Sequence, residues 1–182
     1  MRNRTSFRVA FCGVLAALMV VIMLLGTMIP ATEYLCPALA GVLSIPVVWE
    51  FGGKTSGLLY AAVALLSLIL APNKEAALFF VLLFGWYPLA RPKLQHLKAK
   101  ALRVVLKLVL FNAALAAIFA LLLFVLISPE VVSQAADWTG LAVAAMLVLG
   151  NAAFLIYDVL LARLSDWYVY RLRPKLFPHH FS

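Results

Sequence analysis

The chain has 182 residues, of which 66% are hydrophobic and only 12% are charged. A soluble domain is about half apolar and about one quarter charged, so a water-soluble fold of this length could not bury this much apolar surface. The net charge of +8 does not indicate nucleic-acid binding, because that function needs a soluble basic surface. No segment alternates with the period of two that a transmembrane β-barrel requires. The composition therefore predicts an all-α integral membrane protein.

Long apolar runs divide the sequence into six predicted transmembrane helices, which form one bundle and one domain over residues 1–182. A helix needs about 20 residues to cross about 30 Å of hydrocarbon, so the first, fifth and sixth runs are long enough and the three between them are short. Interfacial residues or local thinning of the bilayer can complete short spans. The predicted spans are residues 7–29, 37–51, 55–71, 75–90, 104–127 and 141–164.

Three arginines, Arg2, Arg4 and Arg8, lie at or just before the start of the first run, as in a secretory signal peptide. Its apolar stretch is too long for a signal peptide, and no pair of small residues near Gly26 forms a cleavage site. We therefore expect the run to be retained as the first span.

Basic residues separate sharply between the two sides of the predicted bundle. With the N-terminus in the cytoplasm, Lys74 is the one basic residue of 15 that falls on the outer side. Because Lys and Arg accumulate in cytoplasmic loops, this distribution predicts a plasma-membrane protein with an even number of spans and both termini in the cytoplasm.

Enzyme motifs are missing from the sequence. Residues 53–56 (GKTS) resemble the end of a phosphate-binding loop, but the glycine required five residues before Gly53 is replaced by Val48. There is no H-E-x-x-H pair and no G-x-S-x-G elbow. His179 and His180 have no third ligand near them in the sequence. We expect no enzymatic activity, no cofactor and no metal site.

Polar residues inside predicted spans are costly in lipid and usually face other helices or a cavity. Asn112 lies in the fifth predicted span, and Asp158 lies toward the inner end of the sixth. The structural interpretation is hydrogen bonding between helices, with Asn112 bound to Tyr87 and Asp158 bound to Lys107 or Arg103. Asn151, near the middle of the sixth span, is the better candidate for lining a cavity.

A second polar group lies on the predicted outer side, where a carboxylate, an amide, an ammonium and an indole could bind a small polar ligand. A structural alternative remains for two of its members. Asn73 would cap the helix that begins there, and Glu75 would stabilise the positive end of its dipole. The candidate substrate-binding residues are Glu33, Asn73, Lys74, Glu75, Trp138 and Asn151.

Small residues form a stripe on the first helix. Ala10, Gly13 and Ala17 are spaced by three and four positions, which places them on one face. Such a face allows another helix to approach closely, either inside the bundle or in a second subunit.

Four segments carry a resemblance to a known family: residues 10–17 (AFCGVLAA), 37–41 (PALAG), 72–77 (PNKEAA) and 150–158 (GNAAFLIYD). With its basic start, six predicted spans and cytoplasmic termini, nearly the whole chain resembles the S components of energy-coupling factor transporters. S components are the substrate-binding membrane subunits of these importers.

The resemblance implies a function and a set of partners. An alanine-rich motif in the first helix of the family contacts the transmembrane coupling subunit, and here Gly13 and Ala17 match it, with glycine in place of the first alanine and Ala10 on the same stripe. Two separate ATPase subunits would drive the import. The chain lacks the N-terminal histidine pattern of metal-transporting members, so the implied substrate is a small organic micronutrient, such as a vitamin or its precursor, bound near the outer face.

A structural or assembly membrane protein without a small ligand is the alternative function. In such a protein the outer polar residues would point into water, and side chains would fill the middle of the bundle.

Overall fold

The computed structural model describes residues 4–26, 32, 34–95, 99–124 and 140–176. Within these ranges every regular element is helical. In chain order the elements are α1 (Arg4–Gly26), α2 (Leu35–Val42), α3 (Ile45–Leu70), α4 (Lys74–Phe79), the π-helix π1 (Phe80–Phe84), α5 (Tyr87–Gln95), α6 (Lys100–Phe124), α7 (Gly140–Trp167), the π-helix π2 (Tyr168–Leu172) and α8 (Arg173–Leu176).

Several of these helices have the length and composition of membrane spans. Among the described residues, four segments qualify: Ser6–Gly26, Ile45–Leu70, Ala101–Leu122 and Gly140–Leu172. Their outward surfaces are rich in large apolar side chains such as Val14, Val148 and Ile156, each about two thirds exposed or more. The all-α class and the presence of several helices able to cross a membrane agree with the sequence prediction.

The region of the second and third predicted spans differs in detail from the prediction. The chain turns at Leu43 and Ser44, between α2 and α3, so the second predicted span is not one helix. Helix α3 then breaks at Gly52, whose φ of 75° and ψ of 178° are not helical. Glycine adopts positive φ at little cost because it has no Cβ. The break therefore falls at the first residue of the predicted loop between the spans 37–51 and 55–71, the loop that contains Lys54.

Residues 35–51 run antiparallel to α1. At one end of α1, Gly26 packs against Cys36, which a Cβ on Gly26 would approach within 2.5 Å. At the other end, the Phe11 and Phe51 rings meet with their centroids 5.9 Å apart. The 15 residues between Gly26 and Phe11 span about 22 Å of helix, so residues 35–51 extend along most of α1.

The fourth predicted span is also interrupted. Instead of one helix over residues 75–90, the chain forms α4, π1 and α5. The widened turn of π1 shows in the Gly85 N–H, which donates to the Phe80 carbonyl at 2.7 Å. The Tyr60 hydroxyl donates to the Val81 carbonyl at 2.7 Å. A π-turn shifts the regular backbone hydrogen bonds by one residue, so the Gly85 N–H does not bind the Val81 carbonyl. The Tyr60 side chain of α3 donates to that carbonyl.

Two apolar clusters make up the core. One contains Met19, Met23 and Val63, from α1 and α3. The other contains residues of α5, α6 and α7, among them Tyr87, Phe111 and Phe154. Phe80 belongs to the first cluster and Leu83 to the second, so π1 lies between them.

Candidate functional site

The outer polar group begins with a helix cap. The Asn73 side-chain oxygen accepts hydrogen bonds from the backbone N–H groups of Glu75, at 2.9 Å, and Ala76, at 3.3 Å. An amide at this position satisfies donors that the first helical turn leaves without partners. The capping interpretation of Asn73 is confirmed.

Lys74 and Glu75 also have partners in the protein. The Lys74 ammonium donates to the carbonyls of Leu68, at 2.9 Å, and Ala71, at 3.0 Å, at the C-terminal end of α3. A cation at the last carbonyls of a helix is favourable because the dipole is negative there. The Glu75 carboxylate accepts from the Tyr34 hydroxyl at 2.9 Å. Tyr34, Lys74 and Glu75 thus lie together, whereas Glu33 and Trp138 fall outside the described residues.

Asn151 pairs with Asn112 across α6 and α7. The Asn112 amide donates to the Asn151 oxygen at 2.8 Å, and the Asn151 amide donates back at 3.2 Å. Each amide also donates to the carbonyl four residues earlier in its own helix. The prediction that Asn112 binds Tyr87 is wrong, because the two asparagines complement each other and Tyr87 binds a different acceptor. No hydrogen bond in the described chain joins this pair to Asn73, Lys74 or Glu75.

The small-residue stripe lies on the surface of α1. Ala10, Gly13 and Ala17 are all exposed. A Cβ added at Gly13 would meet no atom within 4 Å. The buried face of α1 is formed by other residues, including Met19 and Met23. The described helices of this chain therefore leave the stripe open.

A buried ion cluster surrounds Asp158. Its carboxylate receives the Tyr87 hydroxyl at 2.7 Å, the Arg91 Nε–H at 3.0 Å and the Lys107 ammonium at 2.5 Å. The predicted contact between Asp158 and Lys107 is confirmed. Tyr87 and Arg91 join because they are four residues apart on one face of α5. The four-residue spacing is visible in the sequence, but it predicts a shared face only if Arg91 is helical. The predicted fourth span ended at residue 90, so Arg91 was assigned to a loop.

The cluster holds more positive than negative charge. The side chains of Arg91, Lys107 and Asp158 are 9%, 7% and 13% exposed. Two cations thus share one carboxylate in a place that water hardly reaches. Charges removed from water must be compensated by close partners, so this group ties α5, α6 and α7 together.

Glu50 forms a second ion pair near the break in α3. Its carboxylate forms an ion pair with Arg173, whose Nε lies 2.9 Å away, and accepts a hydrogen bond from the Tyr168 hydroxyl at 3.3 Å. The Glu50 side chain is only 6% exposed. These contacts attach π2 and α8 to α3. Sequence reasoning missed them because Glu50 and Arg173 are more than a hundred positions apart.

A cavity of about 280 Å³ opens between α3, α5 and α7. Arg91, Gln95 and Ser165 supply its polar lining, and Trp49 also borders it. Its remaining walls are formed by Ile45, Val48, Pro88, Pro92 and Leu161. None of the candidate substrate-binding residues that the structure describes lines this cavity.

Across the described ranges, no three His, Cys, Asp or Glu side chains lie close enough together to hold a metal ion.

Comparisons with known proteins identify no relative of this chain. No protein-family model matches the chain, and neither a curated protein nor a solved structure is significantly similar to it.

Proposed function

We propose that this chain is the substrate-binding transmembrane subunit of an importer of the energy-coupling factor type. It captures a small organic micronutrient at the outer face and delivers it when partner subunits reorient it in the membrane. The observation that carries the proposal is the exposed stripe of Ala10, Gly13 and Ala17 on α1. This stripe also holds the residues that match the docking motif of S components.

The proposed topology has six crossings in the plasma membrane, with both termini in the cytoplasm. The break at Gly52 supports it by dividing α3 into two helical pieces, residues 45–51 and 53–70. The antiparallel course of residues 35–51 along α1 supports a second crossing made of α2 and the first piece of α3. The second piece, α4 to α5, α6 and α7 would complete the count, and the one-sided basic residues set the orientation.

The exposed stripe suits contact with a coupling subunit. Helices in a membrane associate through close packing rather than through the hydrophobic effect, so small residues at an interface let backbones approach. A coupling subunit that docks on Gly13 and Ala17 would meet exposed positions, and no described side chain lies within 4 Å of a Cβ added at Gly13. The proposed complex contains one such coupling subunit and two ATPase subunits.

Tyr34, Lys74 and Glu75 support a substrate site at the outer face. Tyr34 is half exposed, and its ring packs edge-on against Phe79 with the centroids 4.9 Å apart. A phenol, an ammonium and a carboxylate at one place offer both charge and aromatic contact to a small ligand. Glu33 and Trp138 would complete the site and favour a cationic or aromatic compound.

Docking is tested by purifying the tagged chain together with co-expressed coupling and ATPase subunits. We expect Gly13→Leu to abolish co-purification without lowering thermal stability, because the new side chain points into open space. Leu18→Phe, at an exposed position away from the stripe, is the control and should retain the partners. Normal co-purification of Gly13→Leu would contradict docking through this stripe.

Substrate binding is tested by a thermal-shift screen of the purified protein against vitamins, their precursors and nucleobases. A ligand at 100 times its dissociation constant stabilises the folded state by about 2.7 kcal/mol. We expect a hit whose stabilisation is lost in Glu75→Gln and retained in Lys54→Gln, which changes an exposed residue beyond the break at Gly52. A compound that still stabilises the Glu75→Gln variant would show that the substrate binds outside the outer polar group.

A structural or assembly role is the second candidate, and one observation favours it. Asn73, Lys74, Glu75 and Asn151 each already have a hydrogen-bond partner within the protein. A protein of this kind would show no shift with any compound in the screen. It would also bind no ATPase subunits when these are co-expressed with it.

A further inference from the structure

The cavity between α3, α5 and α7 is lined on one side by a buried cation, Arg91. Arg91 lines it and holds Asp158 through Nε. With the Gln95 amide oxygen turned toward the guanidinium, it accepts from the two terminal nitrogens of Arg91 at 2.7 and 3.1 Å. A guanidinium has five N–H donors, so these contacts leave Arg91 with donors for a group that enters the cavity.

Charge favours an anion in this position. Asp158 offers one negative charge to both Arg91 and Lys107, each less than a tenth exposed. Glu50, the nearest acidic residue in the sequence to the part of α3 that borders the cavity, is engaged by Arg173. An anion next to Arg91 would balance the second cation of the cluster. A guanidinium suits phosphate especially well because its planar fork can bind two oxygens at once.

The walls of the cavity favour an amphiphile over a free ion. Ile45, Val48 and Leu161 are apolar, and Trp49 is 46% exposed beside them. Tryptophan commonly lies at the level of lipid headgroups. Gln95 and Ser165 lie toward the later ends of α5 and α7, beyond the apolar Pro88 and Leu161 in each helix. Polar and apolar side chains therefore both line the cavity.

We propose that this cavity binds the phosphate headgroup of an anionic phospholipid, with the phosphate at Arg91, Gln95 and Ser165 and an acyl chain along Ile45 and Leu161. Basic pockets between helices at the cytoplasmic side are known to take such headgroups. The site is separate from the outer substrate group; it rests on the proposed orientation in the membrane but not on the importer activity. It would make the protein's stability sensitive to the lipid composition of the bilayer.

Native mass spectrometry of the purified full chain tests the site. Phosphatidylglycerol and phosphatidylcholine with the same acyl chains are titrated in parallel, and inorganic phosphate is titrated alone. We expect phosphatidylglycerol to bind about fivefold more tightly than phosphatidylcholine, the effect of roughly one basic contact. Ser165→Leu and Gln95→Leu, which leave the bond from Arg91 to Asp158 in place, should remove this preference. Lys54→Gln should keep it.

Three results would overturn the proposal. Equal binding of the two lipids would remove the role of the anionic headgroup. A preference that persists in both Ser165→Leu and Gln95→Leu would place the lipid elsewhere on the surface. Binding of inorganic phosphate, with no gain from the lipid that carries it, would identify a free-anion site instead.

Discussion

Asp158 is the residue on which three other side chains depend. Tyr87, Arg91 and Lys107 come from α5 and α6 and share the one carboxylate on α7. Removing one partner of a buried ion pair costs more than the pair contributes, because a charge stays behind without compensation. Here the loss of Asp158 would leave two such charges.

Asp158→Asn is therefore expected to lower the free energy of unfolding by about 3–5 kcal/mol. Lys107→Met should cost less, because it removes the surplus cation and keeps the contact between Arg91 and Asp158. Thermal unfolding in detergent measures both changes. Asp166→Asn, at an exposed position on the same helix, is the control, and equal effects at the two aspartates would contradict the importance of the buried cluster.

The pair of Asn112 and Asn151 is suited to a double-mutant cycle. Each single change to leucine leaves the other amide without its hydrogen-bond partner on the neighbouring helix, whereas the double change removes both amides together. We expect a coupling energy of about 0.6 kcal/mol, with an upper value of about 1.7 kcal/mol, as measured for hydrogen bonds between membrane helices. Additive single effects in thermal unfolding would show that the two amides do not interact.

At the scale of elements, α2 and the end of π1 approach each other at a glycine. A Cβ on Gly41 would lie 2.4 Å from the Phe84 carbonyl oxygen and 2.8 Å from the Tyr157 hydroxyl. The Tyr157 hydroxyl in turn donates to the Ala38 carbonyl at 3.4 Å. Helix α2 can therefore stay against π1 and α7 only while residue 41 has no side chain.

Gly41→Ala is expected to destabilise the protein by about 1–3 kcal/mol, the usual cost of overpacking, because backbone atoms must move. Gly57→Ala is the matched control, since a Cβ there would meet nothing within 4 Å. In a helix that change should be neutral or stabilising by about 0.5–1 kcal/mol. Equal thermal stability of the two variants would show that α2 adjusts freely.

At the scale of the whole molecule, the proposed six crossings place the Gly52 break and the start of α4 on opposite sides of the membrane. Lys54 and Pro72 are both exposed and mark these two places. Their accessibility to a membrane-impermeant reagent distinguishes the proposed topology from its inverse and from a topology in which residues 45–70 do not separate the two positions.

In a chain with Cys12→Ser and Cys36→Ser, we expect Pro72→Cys to react with an impermeant maleimide in intact cells. Lys54→Cys should react only after the membrane is opened, because the proposed topology places the basic side in the cytoplasm. The reverse pattern would invert the proposed orientation. Labelling of both positions in intact cells would contradict a crossing between them.

Some features of this protein could be predicted from the sequence by itself. Composition predicted an all-α chain with several helices able to cross a membrane, because only helices or closed barrels satisfy the backbone in lipid and the period of a barrel was absent. Two local features also followed: Asn73 caps the helix that starts beside it, and Asp158 binds Lys107, one of its two predicted partners. Both rest on rules that need only neighbouring residues or matching depth.

Other features were decided by the tertiary structure. Hydropathy does not encode which helices are neighbours, so the partners of Asn112, Glu50 and Arg91 could not be assigned. The break at Gly52 lies within the predicted loop of residues 52–54, but the sequence did not determine which of the adjacent Gly52 and Gly53 adopts the positive φ. The cavity beside Arg91 exists only because three segments distant in sequence pack around it. A hydropathy pattern does not predict the space that remains between packed helices.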